Sequence, residues 1–340
     1  MKAVVKTQKG EGSISYTDFD TPKAERGQVL IKVSFAGICG TDLKIRAGQY
    51  GCNPPVVLGH EYSGIVEEIG EGVVGFKPGD RVISETAQVI CGKCEYCMSG
   101  NYLMCDERLS IGYGTNGAFG EYIVVREEIV HKVPEEISLE EAALCEPSAV
   151  SFHAVFDYAS IKPIHTVIVF GPGAIGQLVA QIVKSTGAHV ILCGTSRDQY
   201  RLDIAKKLGI ETIVTDNISL KAHVDKKTNG KGADYAFDCS GAAPAISQAL
   251  RCLKKKGILV QVGLTKEHID IDYGLIPMKE IEVKGAFGHL HSSWEGVLKM
   301  METKQINVEP LITHQFLFED WEKGFNQAAE LNCVKILLHP

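Results

Sequence analysis

Cys91, Cys94, Cys97 and Cys105 fall within fifteen positions, separated by two, two and seven residues. Four thiolates so spaced suit one tetrahedral Zn2+ held by a compact lobe, with every ligand position filled by protein. A closed site of this kind is structural rather than catalytic. Gly92, Lys93, Glu95 and Gly100 between the cysteines are turn-forming or solvent-seeking, so the segment offers no core in which four thiols would be packing residues. A redox role for the Cys-x-x-Cys pairs is the other reading of the spacing. Upstream lies a looser set. Gly37-Ile38-Cys39-Gly40-Thr41-Asp42 and Gly59-His60-Glu61 supply one thiolate, one imidazole and one or two carboxylates on glycine-framed loops. Each is weak alone, since an isolated Cys is usually a small buried hydrophobe. Together they leave a position in a zinc shell for water or substrate, which catalysis requires.

A third signal follows in the second half. Val167-Ile168-Val169-Phe170 runs into Gly171-Pro172-Gly173-Ala174-Ile175-Gly176, and a helical stretch follows from Gln177 to Thr186. The strand before and the helix after turn a weak Gly-x-Gly-x-x-Gly into a dinucleotide-binding expectation. Gly171 allows the tight turn, Gly173 lets backbone approach a pyrophosphate, and Gly176 permits close helix–strand packing. Ala174 and Ile175 complete the turn, and the N-terminus of the helix that follows faces the phosphates. A plain strand–helix glycine turn is the alternative.

These residues need a scaffold, and the apolar pattern describes one. Val29–Val33 and Gly64–Gly70 are short β-branched runs bounded by glycines, and Pro78-Gly79 turns into Arg81-Val82-Ile83. After about residue 150, strand-like runs alternate with helix-like ones up to Leu264, the pattern of a parallel, doubly wound α/β sheet. Past Phe287 the period turns helical over 294–303 and 321–330 and closes on a strand-like Val334–Leu338. The chain has 340 residues, formal charge −7, 45% apolar and 23% charged side chains. That length suggests two domains, and that balance argues against disorder and against nucleic-acid or anionic-membrane partners. The most apolar stretch, Val167–Val183, is interrupted by glycines and Pro172 and reads as no membrane span. The N-terminus lacks the apolar core of a signal peptide. Eleven cysteines without an export signal point to a reducing compartment, the cytoplasm.

The Cys-Gly-Thr-Asp and Gly-His-Glu elements, the four-cysteine lobe and the glycine-rich turn, in this order, resemble the zinc-dependent medium-chain alcohol dehydrogenases. Glu146-Pro147 followed by His153-Ala154 is similar to the branch containing polyol (sorbitol/L-iditol), butanediol and threonine dehydrogenases. The resemblance implies a GroES-like β-rich catalytic domain, residues 1–150 and 288–340, and a Rossmann domain at 151–287, with the active site in the cleft between them. It implies two Zn2+ per chain. Cys39, His60 and Glu61 would sit on or beside the catalytic ion, and Glu146 would be a further ligand or would hold its water; the plain reading of Glu146 is a surface carboxylate at a helix start. Cys91, Cys94, Cys97 and Cys105 would hold the structural ion. Thr41 would take the alcohol proton toward the cofactor ribose, and Asp42 would orient a ligand. Many relatives carry a His three residues beyond the hydroxyl residue; this chain has Lys44 there.

The activity so implied is reversible oxidation of a secondary alcohol of a polyol or vicinal diol, of the sorbitol/L-iditol type, to its ketone. L-threonine 3-dehydrogenase is the rival, since Val283–Gly288 and Ile312-Thr313-His314 also resemble that family; 2,3-butanediol dehydrogenase is another. A non-catalytic dinucleotide-binding relative would have degraded zinc ligands, and this chain keeps them. A homodimer or homotetramer would form through edge strands around Ile281–Phe287. For the cofactor, twenty residues past Gly176 stands Ser196, where NAD-specific domains place an acid. Arg201, five positions on, supports that register by resemblance. A hydroxyl does not repel a 2′-phosphate and Arg197 can pair with it bidentately, which favours NADP(H) within the NAD(P) class. The opposing reading has Asp198, slipped by two positions, serving NAD. His289 and His291 have no carboxylate or thiolate beside them in sequence and are expected at a helix start or lining a pocket rather than on a third metal. Cys52, Cys145, Cys193, Cys239, Cys252 and Cys333 are expected to be packing residues.

Overall fold

The alternating runs after residue 150 build a six-stranded, all-parallel sheet in a computed structural model that describes residues 1–265 and 268–340. Along the sheet the strands run Glu211–Val214, His189–Gly194, Thr166–Phe170, Ala233–Asp238, Leu253–Gln261 and Glu282–Gly285. In chain order that is third, second, first, fourth, fifth, sixth, the Rossmann arrangement. Thr166–Phe170 is buried along its whole length, as a central parallel strand covered on both faces must be. Ile168, Phe170, Ile191, Ile213, Leu250 and Leu259 belong to the core beneath. The order reverses between Thr166–Phe170 and Ala233–Asp238, and a ligand crevice opens at the carboxyl ends of such a pair.

The other sheet is seven-stranded and mixed, and its organiser is the ten-residue strand Gln28–Gly37. Its length lets it take three partners: Glu61–Ile69 on one edge, and on the other Tyr122–Arg126 followed by Lys335–His339. Gly37 is in register with both Glu61 and Leu337. Three strands therefore converge just before Cys39. Val29, Ile31, Phe119, Trp321 and Phe325 are among the core residues behind them, with the Phe325 ring edge-on to Phe119 at 6.0 Å and to Trp321 at 5.4 Å. A three-stranded sheet has Lys2–Lys6 at its centre, between Ile14–Asp18 and Val56–Val57.

The described residues divide into two units: Met1–Glu146 with Leu290–Glu302 and Ile312–Pro340, and Pro147–His289 with Thr303–Leu311. Among the described residues no helix is long and apolar enough to cross a membrane. The helix that begins beside Glu146 is buried where a surface helix was the plain expectation. Cys145–Phe156 is helical, yet it is buried on nearly every side and so lacks the polar stripe that marks an amphipathic helix.

Candidate metal centres and dinucleotide turn

Cys39 precedes the helix Gly40–Arg46, and its backbone N–H donates to Asp42 Oδ2 at 2.9 Å. His60 follows Gly59, whose φ of +89° turns the chain and whose missing Cβ leaves room for the Phe119 ring. Glu61 opens the strand beside Gly37, and a Cβ on Gly37 would lie 2.4 Å from Glu61 Oε2. The result is one ligand atom each from Cys39, His60 and Glu61, all within 4.8 Å of one another. Thr41 and Lys44 lie on the adjoining helix, both half-buried.

Around this cluster the charge is mostly negative. Asp42 Oδ1 stands 3.8 Å from His60 Nδ1, and neither buried atom has a hydrogen-bond partner among the described residues. Burial pushes the His60 imidazole down, but the Cys39 thiolate and Asp42 carboxylate raise it well above its usual value. Burial drives Asp42 up. Burial, with help from Glu61, also pushes Glu146 up to about 7. Such an excess of anionic ligands suits a divalent cation, and two orphaned polar atoms aimed at each other fit a histidine oriented for coordination. Glu146 opens the helix Cys145–Phe156 and feels both His60 and Glu61, but its carboxyl oxygens lie outside the 4.8 Å cluster.

Lys335 was not among the expected site residues. Its side chain is 4% exposed, its Nζ donates to Glu61 Oε2 at 2.6 Å, and it reaches Ile38 O at 3.1 Å. Leu337, paired with Gly37, carries it there from the far end of the chain. The signal available in sequence, a Lys opening an apolar strand, does not name its partner.

The four lobe cysteines also converge within 4.8 Å. Backbone N–H groups point at their sulfurs: Cys94 N to Cys91 Sγ at 3.3 Å, Cys97 N to Cys94 Sγ at 3.4 Å, and Cys91 N to Cys105 Sγ at 3.4 Å. Donation from Lys93 and Cys94 pulls the Cys91 thiol down to about 7. Turns that aim N–H groups at four converging thiols fit a closed zinc site. His291 begins the helix His291–Glu302. The carboxylate missing from its sequence neighbourhood arrives through the fold: Glu85 Oε1 is 2.6 Å from His291 Nδ1 and 3.0 Å from His131 Nε2, and Tyr102 also bonds Glu85. Of the six other cysteines, Cys145, Cys193, Cys252 and Cys333 are buried, Cys239 is half-buried and Cys52 borders a cavity.

In the second unit, Gly171 has φ +90°, with Ser240 packed where a Cβ would go. A Cβ on Gly176 would lie 1.9 Å from Gly171 O, whereas one on Gly173 would meet no protein atom within 4 Å. Gly176 is thus required by packing, whereas the space beside Gly173 is open. Ala174 and Ile175 begin the helix Ala174–Ser185. Ser196 N and Oγ both donate to Asp216 Oδ2 at 2.8 Å. Asp198 is spent on Thr195, accepting from its N at 2.9 Å and Oγ1 at 2.8 Å. Arg197 is exposed; Arg201 is half-buried, 3.9 Å from Asp198. Asp216 was not among the residues expected at this end of the strand.

Residues 25–135 match the family described as alcohol dehydrogenase GroES-like domain, and residues 174–303 the family described as zinc-binding dehydrogenase. A sorbitol dehydrogenase of Halalkalibacterium halodurans is 42% identical, over 100% of this chain and 99% of the relative. A D-arabitol-phosphate dehydrogenase of Enterococcus avium is 39% identical, over 99% of this chain and 97% of the relative. The crystal structure of 2R,3R-butanediol dehydrogenase from Bacillus subtilis superposes with a TM-score of 0.90 at 32% identity, covering 100% of this chain and 99% of that one. With its GroES-like and Rossmann-type architecture, the chain is an oxidoreductase that belongs to the zinc-dependent medium-chain alcohol dehydrogenases, in their polyol dehydrogenase branch.

Proposed function

We propose that the chain interconverts a secondary alcohol of a polyol or vicinal diol, of the sorbitol/L-iditol type, and its ketone, using two zinc ions and NAD(P). The observation that carries this reading is the convergence of Cys39, His60 and Glu61 within 4.8 Å, apart from the closed four-thiol lobe. Similarity to sorbitol and arabitol-phosphate dehydrogenases supports the polyol class. When bound, zinc would polarise the alcohol oxygen and the nicotinamide would accept the hydride. Cys39, His60 and Glu61 would hold that ion, with Glu146 a further ligand or the holder of its water. Asp42 orients the His60 ring. Thr41 Oγ1 takes the alcohol proton. The proton goes on toward the cofactor ribose, and its last step falls to water or to Lys44, which stands three residues on along the same helix face. The zinc site falls to residues 1–150 and 288–340, the dinucleotide to 151–287. The test is zinc content together with nicotinamide absorbance on sorbitol, 2,3-butanediol and L-threonine. Two zinc ions per chain and turnover of the polyol or diol are expected; preference for L-threonine, or no turnover at all, overturns the reading.

Gly171, Gly173, Ala174, Ile175 and Gly176 would cradle the pyrophosphate, and Arg197 with Ser196 would take a 2′-phosphate, so NADP(H) is the preferred cofactor in this reading. Asp216 opposes it by occupying both Ser196 donors. Arg197→Ala should therefore lower, and Asp216→Asn raise, the NADP-to-NAD ratio of kcat/KM. A wild-type preference for NAD, or an unmoved ratio in Arg197→Ala, refutes the assignment. The strand Glu282–Gly285 is an edge of the parallel sheet with Val283 and Phe287 exposed, and pairing there would give the homodimer or homotetramer, readable by sedimentation. A reducing cytoplasm suits eleven cysteines that form no disulfide.

A further inference from the structure

Next to the His60 cluster lies a cavity of about 560 Å3, bordered by Lys9, Tyr50, Cys52, Arg108, Ser110 and Tyr113 among others. Its size is that of a small-molecule site. Among the described residues that line it there is no carboxylate, and two cations, Lys9 and Arg108, stand on its wall. The wall is continuous with the metal cluster. Tyr113 sits edge-on to His60 with ring centroids 6.0 Å apart, and Tyr50 edge-on to Tyr113 at 5.4 Å. The Tyr50 phenol bonds Tyr113 and lies within electrostatic range of both the Cys39 thiolate and the Arg108 guanidinium. A ligand reacting at His60 and Cys39 would thus run past two phenols toward a cation.

Both cations sit on fixed backbone. Lys6 is fully buried, and its ammonium donates to Gly10 O and Gly12 O. Thr7 N and Oγ1 both donate to Ser13 O, at 2.8 and 3.1 Å. These bonds close the turn that carries Lys9. The opposite rim is pressed against it, since a Cβ on Gly48 would fall 2.7 Å from Glu11 N. Arg108 Nη1 donates to Ser110 Oγ at 2.5 Å, and Asn53 N to Tyr113 O at 2.8 Å. Preorganised groups lose less freedom on binding, so charge placed this way favours an anion rather than free solvent.

A neutral polyol gains nothing from two cations. A phosphate monoester carries a charge of about −1.5 to −2 and three acceptor oxygens, which a guanidinium takes bidentately and an ammonium as a point charge. We propose that the alcohol oxidised by this chain carries a phosphate monoester on its end remote from the reacting carbinol, bound by Arg108 and Lys9 across the Tyr50–Tyr113 wall. A carboxylate next to the carbinol, as in threonine, is a single charge and lies at the reacting end, two aromatic rings away from Arg108. The inference rests on the proposed alcohol oxidation at the Cys39–His60 cluster and specifies its substrate class.

The test compares kcat/KM of the zinc-loaded full chain on a pentitol or hexitol and on its terminal phosphate ester. The ester should be preferred by about 100-fold, the worth of two charge-assisted contacts. Arg108→Ala should cut that preference about tenfold, mainly through KM, and Arg108→Lys should recover part of it. Lys9→Ala should cut it severalfold. Inorganic phosphate should inhibit ester oxidation competitively, and less so in Arg108→Ala. Raising salt should weaken the ester and leave the free polyol little changed. Equal kcat/KM on the two substrates, or an ester preference that survives Arg108→Ala, overturns the phosphate site while leaving the alcohol dehydrogenase reading in place. Preference for L-threonine, or no oxidation of either substrate, overturns both.

Discussion

Lys335→Met keeps the apolar stem and removes the charge that faces Glu61. The two groups are 2.6 Å apart, with side chains 4% and 1% exposed. At an effective dielectric of ~20, unit charges at that distance attract by about 6 kcal/mol, and the cost of desolvating two ions offsets much of it. Removing one partner is worse than removing both, because the survivor is stranded. In protein without the open-site ion, Glu61 would then face the Cys39 thiolate with Asp42 and Glu146 within electrostatic range, and only His60 would offset that repulsion. The expected cost is about 3–5 kcal/mol, a fall in Tm on the order of 10 °C. Both tryptophans, Trp294 and Trp321, lie in the same unit as this pair, so urea or thermal unfolding of protein stripped of the open-site ion, followed by their fluorescence, reports on it. Glu61→Gln with Lys335→Met should lose less than Lys335→Met alone. A single-variant cost below about 1 kcal/mol, or strict additivity in the cycle, would refute the reasoning.

Cys39→Ser should abolish turnover with the unfolding curve nearly unmoved, since it removes a ligand from the open site only; wild-type rates in the variant would exclude Cys39 from the chemistry. Cys94→Ser should lower stability and solubility and reduce zinc by one ion per chain, because closed zinc sites contribute folding energy; an unchanged metal content would contradict the lobe assignment. For Glu211, burial pushes the carboxyl up while donors from His189, Lys227 and His223 pull it down to about 2 from 4.5. A carboxyl depressed in the folded state stabilises fully above its unfolded value and loses that contribution as pH falls from about 4.5 toward about 2. The side chain is 29% exposed, so after solvent screening Glu211→Gln should cost about 1 kcal/mol at pH 7. The gap to wild type should shrink between pH 5 and pH 3 in thermal melts; a gap independent of pH would rule the network out.

What was legible in sequence was whatever chemistry binds residues close together along the chain. The four-cysteine lobe closes over fifteen positions, and the glycine turn joins one strand directly to one helix, so spacing alone carried the geometry. Cys39 and His60 are twenty-one residues apart, but both precede regular elements that the Gly37–Glu61 register brings side by side. The groups that surround these ligands come from further away. Lys335 meets Glu61 across 274 residues and His291 meets Glu85 across 206. Neither contact leaves a periodic trace, because a single buried ion or imidazole in an apolar strand or at a helix start looks like its neighbours until the sheet order is known. Asp216 reaches Ser196 from the loop after the adjacent parallel strand, and only that pairing brings its charge to Ser196. Lys9 and Arg108 belong to the same class: two solvent-seeking residues on unrelated turns, joined by a wall of Tyr50 and Tyr113 that no spacing rule connects. The divide is physical. Ligand sets are constrained by covalent reach and therefore written locally, whereas the charges that tune a site act through space and are placed by strand order, so the groups proposed here to set substrate and cofactor preference are those that sequence spacing describes least.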